Sequence, residues 1–356
     1  MRKQITKVIH FFFWLTLLLY NQYSHAQDAH LSQYYAAPLY LNPALVGTAG
    51  DGRANINYRN QWVGLPSNYS TFLASFDTPI PKKNIGVGVS LHQDVLAQNS
   101  GAVMDRFIFN ATGGYKLQIT NKYQLSFGLQ LGFEQSSLGF YHLLFGDQID
   151  DDGITGNPTG DRVDRDSRIY PDISAGTMFY GKDFWVGVSF FHINQPNISR
   201  YEVGQDNLPL RFSMNAGYRI PLTYRWHGTI GNYDDRTVSF MMHYQSQGRK
   251  DQLSTGVNLN YHPIILGLWY RGLIIKDNEH PSQFNQDAIV IMSGVQLKRF
   301  TIGYSYDHPI GGLSVSEGNS HELSLRYDMN FYPDYRKKKK KGKVGVPTDK
   351  CPIPNL

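Results

Sequence analysis

Between His321 and Phe331 the sequence HELSLRYDMNF alternates without a break: Leu323, Leu325, Tyr327, Met329 and Phe331 are apolar, while Glu322, Ser324, Arg326, Asp328 and Asn330 are polar. Successive side chains of a β-strand point to opposite faces, so this pattern predicts a strand with one oily and one charged face. A packed protein core does not accept such charges unpaired. In a soluble sandwich the oily face would cover a core; in an outer-membrane barrel it meets lipid and the polar face lines the lumen. Residues 53–62, RANINYRNQW, repeat the pattern near the other end, with Ala54, Ile56, Tyr58 and Trp62 on one face and Arg53, Asn55, Asn57, Arg59 and Gln61 on the other. A first and a last strand of this kind are expected to close a barrel against each other.

Fourteen such segments follow one another: 53–62, 69–79, 84–94, 103–117, 122–137, 170–180, 184–193, 211–220, 236–247, 251–262, 264–274, 286–297, 299–308 and 320–331. The segment at 286–297 has the weakest alternation. Long connections such as 138–169 and 194–210 alternate with short ones such as 80–83 and 181–183, the habit of outer-membrane barrels. Two connections break the rule, 221–235 being too long and 248–250 too short. Trp62, Tyr123, Tyr180, Trp185, Tyr218, Tyr244, Tyr261, Tyr306 and Phe331 stand near strand ends, where interfacial aromatic girdles form. The expected fold is therefore all-β, a transmembrane antiparallel barrel of about 14 strands. Barrels of that size stand between filled and channel-forming ones. Gly86, Gly88, Ser90, Gly128, Gly132, Ser254, Gly256, Gly303 and Ser305 fall on the inward face. They either leave room for a peptide inside or only ease bending and twist.

The two ends differ from this body. Met1–Lys7 carries Arg2, Lys3 and Lys7, Val8–Tyr20 is greasy, and Ser24-His25-Ala26 supplies small residues, which reads as a secretory signal peptide over 1–26 cut before Gln27. The greasy run falls short of the ~20 residues of a spanning helix. Residues 27–52 form an N-terminal segment, a periplasmic tether or a plug tucked into the barrel. Within it Asn42-Pro43 looks like a cap followed by a helical first position, with Gly47 as the stop. The barrel is assigned to 53–332 and a basic periplasmic tail to 333–356. The formal charge of +5 belongs to the ends: the signal carries three positive charges and the tail a net six, so the body stands at −4. Nucleic acid is thus not an expected partner. Arg336, Lys337, Lys338, Lys339, Lys340, Lys341 and Lys343 are candidates for docking a periplasmic component.

Chemistry is sparsely signalled. Twelve histidines occur without HExxH spacing, Cys351 is the single cysteine, and neither a GxSxG elbow nor a Gly-rich phosphate loop is present. No catalytic residue, metal site or cofactor is expected. Asp147, Asp150, Asp151, Asp152, Asp161, Asp164 and Asp166 crowd one connection, but an EF-hand frame on Gly153 puts Gln148 first and Thr159 last, so a solvated acidic loop is the better reading.

Five stretches stand out in order: His30-Leu31-Ser32-Gln33-Tyr34-Tyr35 with Pro38–Gly47, then Tyr58-Arg59-Asn60-Gln61-Trp62, Leu266-Gly267 with Tyr270-Arg271, Gly303-Tyr304-Ser305-Tyr306-Asp307, and Ser320-His321-Glu322-Leu323. Together they resemble the PorP/SprF family of type IX secretion outer-membrane proteins of the Bacteroidetes. The resemblance implies an outer-membrane barrel without a catalytic role; an even number of strands requires both termini on one side, here taken as the periplasmic one. It also implies pairing with a large secreted adhesin that carries a type B C-terminal domain, and contact with periplasmic components of the secretion and gliding machinery. Arg59, Gln61, Trp62, Tyr304, Tyr306, Asp307, His321 and Glu322 are candidates for partner contact or for closing the seam, where Arg59 and Glu322 would pair across it. The rival reading is a diffusion channel for small solutes.

Overall fold

Strands in hydrocarbon have no water to bond their backbone groups, so they must close into a ring. The computed structural model shows that ring; it describes residues 28–65, 67–96, 103–139, 146–150, 153–154, 160, 167–201, 204–222, 236–248, 250–272, 286–310, 318–331 and 351–353. The strands are β1 (Arg53–Gln61), β2 (Tyr69–Pro79), β3 (Ile85–Leu96), β4 (Val103–Gln118), β5 (Gln124–Gly139), β6 (Ile149–Asp150), β7 (Gly153–Ile154), β8 (Ser167–Tyr180), β9 (Phe184–Phe191), β10 (Arg211–Pro221), β11 (Arg236–Gln247), β12 (Lys250–Tyr261), β13 (Ile264–Gly272), β14 (Gln286–Leu297), β15 (Phe300–Pro309) and β16 (Ser320–Asp328). All but β6 and β7, which pair only with each other, form one closed antiparallel barrel of 14 strands. Closure is between β1 and β16, in a register that runs from Arg53 opposite Asp328 to Gln61 opposite Ser320.

The period-two pattern sets which side chains face lipid. In β5, Phe127, Leu129, Leu131 and Phe133 are exposed on the outside, and Ser126, Gln130 and Glu134 are buried on the inside. The same parity corrects the aromatic girdle. Tyr123, Tyr218, Tyr261 and Phe331 are exposed, but Tyr180 and Trp185 are buried, because Phe179 and Phe184 take the lipid-facing positions beside them. Trp185 packs inward over Gly217, and Trp269 over Gly256.

Residues 28–51 lie inside the barrel. Short 3-10 turns at Tyr34–Ala36 and Pro43–Leu45 flank one helical turn, Pro38–Leu41. As the sequence predicts, the Asn42 side chain caps the second turn by accepting from the Ala44 N–H at 2.9 Å, and Gly47 leaves it with φ +66°. Leu31, Tyr34, Tyr35, Leu41 and Leu45 from this segment share one apolar cluster with Met178, Trp185, Met241, Ile265, Trp269, Val290 and Met292 from the barrel wall. This inner core explains the weak alternation of β14: Val290 and Met292 face inward while Ile289 and Ile291 face lipid. Space for the segment comes from glycines. A Cβ on Gly86 would strike Val46, one on Gly128 would strike Pro43, and one on Gly176 would strike Asn42. Gly132 and Gly256 instead face side chains of the wall itself, Asn110 and Trp269.

Candidate functional site

Strand parity divides the candidate residues into two groups. Tyr304, Tyr306 and His321 lie on the outer surface, where the Tyr304 hydroxyl meets His321 Nδ1 at 2.7 Å and the Tyr306 ring lies 5.3 Å from that of His321, whereas Trp62, just past the end of β1 with φ +56°, is half-buried with its ring 6.3 Å from that of Tyr69. They form part of an aromatic band near the end that bears the long connections. Arg59, Asp307 and Glu322 point inward and meet, and Gln61 follows Arg59 on the same inward face. Arg336–Lys343 fall outside the described residues, as does most of the acidic connection; within its described part, Asp147 Oδ2 accepts from the Gly160 N–H at 2.7 Å.

The inward group is a network across the seam. Arg59 Nη2 is 2.6 Å from Asp307 Oδ2, and its Nη1 is 3.2 Å from Glu322 Oε2. Arg271 Nη1 reaches the same Asp307 oxygen at 2.8 Å. The luminal segment completes the set. Glu322 accepts from the backbone N–H of Ser32 at 2.7 Å and of Gln33 at 3.1 Å, and the Ser32 hydroxyl binds Asp307 and Arg59. Gln33 donates to the Glu322 carbonyl and to Ser305, and accepts from the Ser324 hydroxyl. Arg59 and Arg271 face Asp307 and Glu322, and Arg271 Nε also reaches the more exposed Asp287 Oδ2 at 2.5 Å, so each buried charge has a partner, the condition under which buried charges persist. The motif residues that carry the family resemblance are far apart in sequence, yet Ser32, Gln33, Arg59, Arg271, Asp307 and Glu322 converge on this one point. Arg271, Ser32 and Gln33 were visible as motif members, though nothing in the alternation singled them out as network partners.

Two further clamps hold the segment, and neither has a sequence signal beyond inward parity. At one end, Arg53 Nε binds Asp77 Oδ1 at 2.8 Å, the Gly47 N–H donates to Asp77 Oδ2 at 2.7 Å, and Lys116 Nζ donates to the Gly47 carbonyl at 2.8 Å. At the other end, Asp28 is bound by Arg106, Arg211 and His192. Those three residues stand where β4 begins, where β10 begins and just after β9 ends, so Asp28 lies at the long-connection end of the barrel. The Cys351 N–H, by contrast, donates to the Thr48 carbonyl at the short-turn end, where burial pushes the thiol up to about 12. Asp28 and Cys351 thus lie at opposite ends of the barrel. The chain must enter at one mouth because it descends the lumen before turning into β1.

Among the described residues no cluster of three or more His, Cys, Asp or Glu side chains is arranged to hold a metal. The arrangement's chemical capacity is for binding: carboxylates and guanidinium groups set to grip a peptide backbone and its polar side chains.

A family profile described as "Type IX secretion system membrane protein PorP/SprF" matches residues 23–327. A comparison with curated proteins finds no match. Among solved structures, the chain is similar to the P. putida toluene transporter TodX, with 10% identity, a TM-score of 0.49, and 82% of this chain and 93% of that one covered. It is similar to the Ralstonia pickettii toluene transporter TbuX, with 10% identity, a TM-score of 0.45, and 81% and 92% covered. It is also similar to CdiB from Acinetobacter baumannii, with 8% identity and a TM-score of 0.44; the match covers 78% of this chain but spans only 60% of that one.

Proposed function

This chain belongs to the PorP/SprF family of type IX secretion system membrane proteins, and from that premise we propose that it is an outer-membrane adaptor. Its long-connection face receives the type B C-terminal domain of a secreted adhesin and supports that adhesin's export or surface anchoring. Its opposite face meets periplasmic components of the secretion machinery, for which Arg336–Lys343 remain the docking candidates. The observation that carries the adaptor reading over a diffusion channel is the occupied lumen. Residues 28–51 fill it and are held at three levels, by Asp77, by Glu322 with Asp307, and by the Arg106, Arg211 and His192 cluster. A path for solutes would require that whole segment to leave. The outward candidates Tyr304, Tyr306 and His321 can contact a partner only at the rim or through lipid, whereas Arg59, Asp307 and Glu322 act on the partner through the segment they hold.

The test uses the purified full chain. In planar bilayers it is expected to be electrically silent, and from its own membrane it is expected to co-purify with an adhesin through that adhesin's C-terminal domain. A large, steady ohmic conductance with no adhesin attached would overturn the adaptor and leave the diffusion channel.

A further inference from the structure

Asp28 is held unlike any other residue of the luminal segment. Its Oδ1 lies 3.3 and 3.2 Å from the two terminal nitrogens of Arg106, and its Oδ2 lies 2.9 Å from Arg211 Nη1 and 2.8 Å from His192 Nε2. His192 Nδ1 is in turn 2.8 Å from Asp172 Oδ1. Both ring nitrogens thus face carboxylates, which only an imidazolium can satisfy, since a neutral ring donates once. Arg106 has a fixed barrel partner in Glu134, at 2.5 Å. Among the described residues Arg211 makes direct contact with no carboxylate besides Asp28, Asp172 acting on it from farther off; its other contacts are the Tyr40 hydroxyl at 2.9 Å and the Tyr40 and Phe191 rings. Asp94 also faces Arg106 but is already held by His92 and Thr71. In direct contact, then, three cations meet two carboxylates of the barrel, and Asp28 supplies the third negative charge. A buried cation left uncompensated is strongly unfavourable. Every donor belongs to the barrel, whereas the occupant belongs to the luminal segment, at the long-connection mouth.

We propose that Arg106, Arg211 and His192 form a carboxylate-binding socket, that Asp28 occupies it in cis, and that a carboxylate of the secreted partner replaces Asp28 when the partner docks. The exchange swaps one anion for another in the same set of donors, so it leaves the charge balance unchanged. It frees the outer end of the luminal segment while the Glu322 and Asp77 clamps still hold the rest. The partner half of the proposal rests on the function proposed above; the socket itself does not.

Acetate is the probe for the socket. In the full chain in detergent, Asp28→Ala, with Asp28→Gly beside it, is expected to raise the rate of proteolytic cleavage within residues 28–40 roughly tenfold or more, because one partner of a buried charge cluster is gone. Sodium acetate at tens of millimolar then brings the rate back toward that of the unaltered protein, while equal sodium chloride or neutral acetamide does not. An acetate effect no larger than that of chloride in either variant overturns the socket, and this arm needs no partner. A second arm adds an adhesin C-terminal fragment to the unaltered protein and reads the same cleavage. A rise with a free but not an amidated C-terminus identifies the terminal carboxylate as the source. A rise with both identifies an acidic side chain. No rise with a fragment that binds overturns the exchange.

Discussion

Arg59 shows what a charged side chain costs and gives inside this barrel. It is fully buried, and a buried ion pair is weak evidence for net stability, because well-packed apolar groups of the same volume often do as well. What the pairing does supply is specificity: Asp307, Glu322 and Ser32 together accept Arg59 only when β1, β15, β16 and the luminal segment are all in place. Losing one partner would leave an uncompensated charge, at a cost of about 3–5 kcal/mol. The outer clamp obeys the same logic and adds a pH dependence. Burial alone would raise the Asp28 carboxyl, but His192, then Arg211 and Arg106, outweigh it and hold it well below its ordinary range. Burial likewise opposes the His192 imidazolium, but the Asp28 and Asp172 carboxylates raise it to about 9. A depressed carboxyl contributes stability above its ordinary value, ~3.8, that is lost as pH falls through the lower folded value. A raised histidine contributes stability that is complete below ~6.5 and lost as pH rises through the folded value. Proteolytic exposure of residues 28–40 is therefore expected to be lowest between about pH 4 and 6.5 and to climb as pH rises from about 6.5 to about 9. His192→Gln should abolish the alkaline rise; a rise that persists in that variant would show that the clamp does not depend on the imidazolium.

At the scale of single elements, the luminal segment and the wall were fitted to each other by the choice of small residues. Gly128 and Gly113 lie on neighbouring strands of opposite exposure. A Cβ on Gly128 would strike the Pro43 carbonyl, whereas one on Gly113 would meet nothing within 4 Å. Gly128→Ala is accordingly expected to push on the Pro43–Leu45 turn and destabilise the folded chain by ~1–3 kcal/mol. Gly113→Ala should stay within about 0.5 kcal/mol of the original. Chemical unfolding of the two variants in detergent measures the difference, and equal stabilities would mean that the segment is not packed against β5. The strands themselves were legible because lipid outside and polar groups inside impose a strict period of two. That rule also located the hairpin at 236–261, where the lengths of the connections gave conflicting signals. It misled where the inside is not polar. Val290 and Met292 blurred β14, and Tyr180 and Trp185 looked like girdle residues, because an inner apolar core built from a non-strand segment has no periodicity of its own. The seam was partly readable, since Arg59 and Glu322 lie on the first and last strands with the right parity. The outer clamp was not, because Arg106, His192, Arg211 and Asp28 are brought together only by barrel closure and by the path of the segment.

For the whole molecule, the direction of that path decides what each side of the membrane can touch. Long connections of bacterial barrels face outward. Asp28 lies at that end, and Gly52 O, which accepts from the Met329 N–H, lies at the other, so the chain crosses the lumen once before its first strand begins. An edge-free ring leaves no side entry for a peptide. The segment must therefore be inside when β1 meets β16, and the Ser32 and Gln33 contacts to Glu322 and Ser324 join the two events in space. The beginning of the mature chain should consequently be presented at the cell surface, on the side where the adhesin is proposed to dock, and the Cys351 end on the periplasmic side. A short epitope placed directly after the signal peptide is expected to be stained by antibody on intact cells, and the same epitope appended after Leu356 only once the outer membrane is permeabilised. The reverse pattern would place the long connections in the periplasm and move the proposed adhesin-binding face, together with the Asp28 clamp, to the inner side.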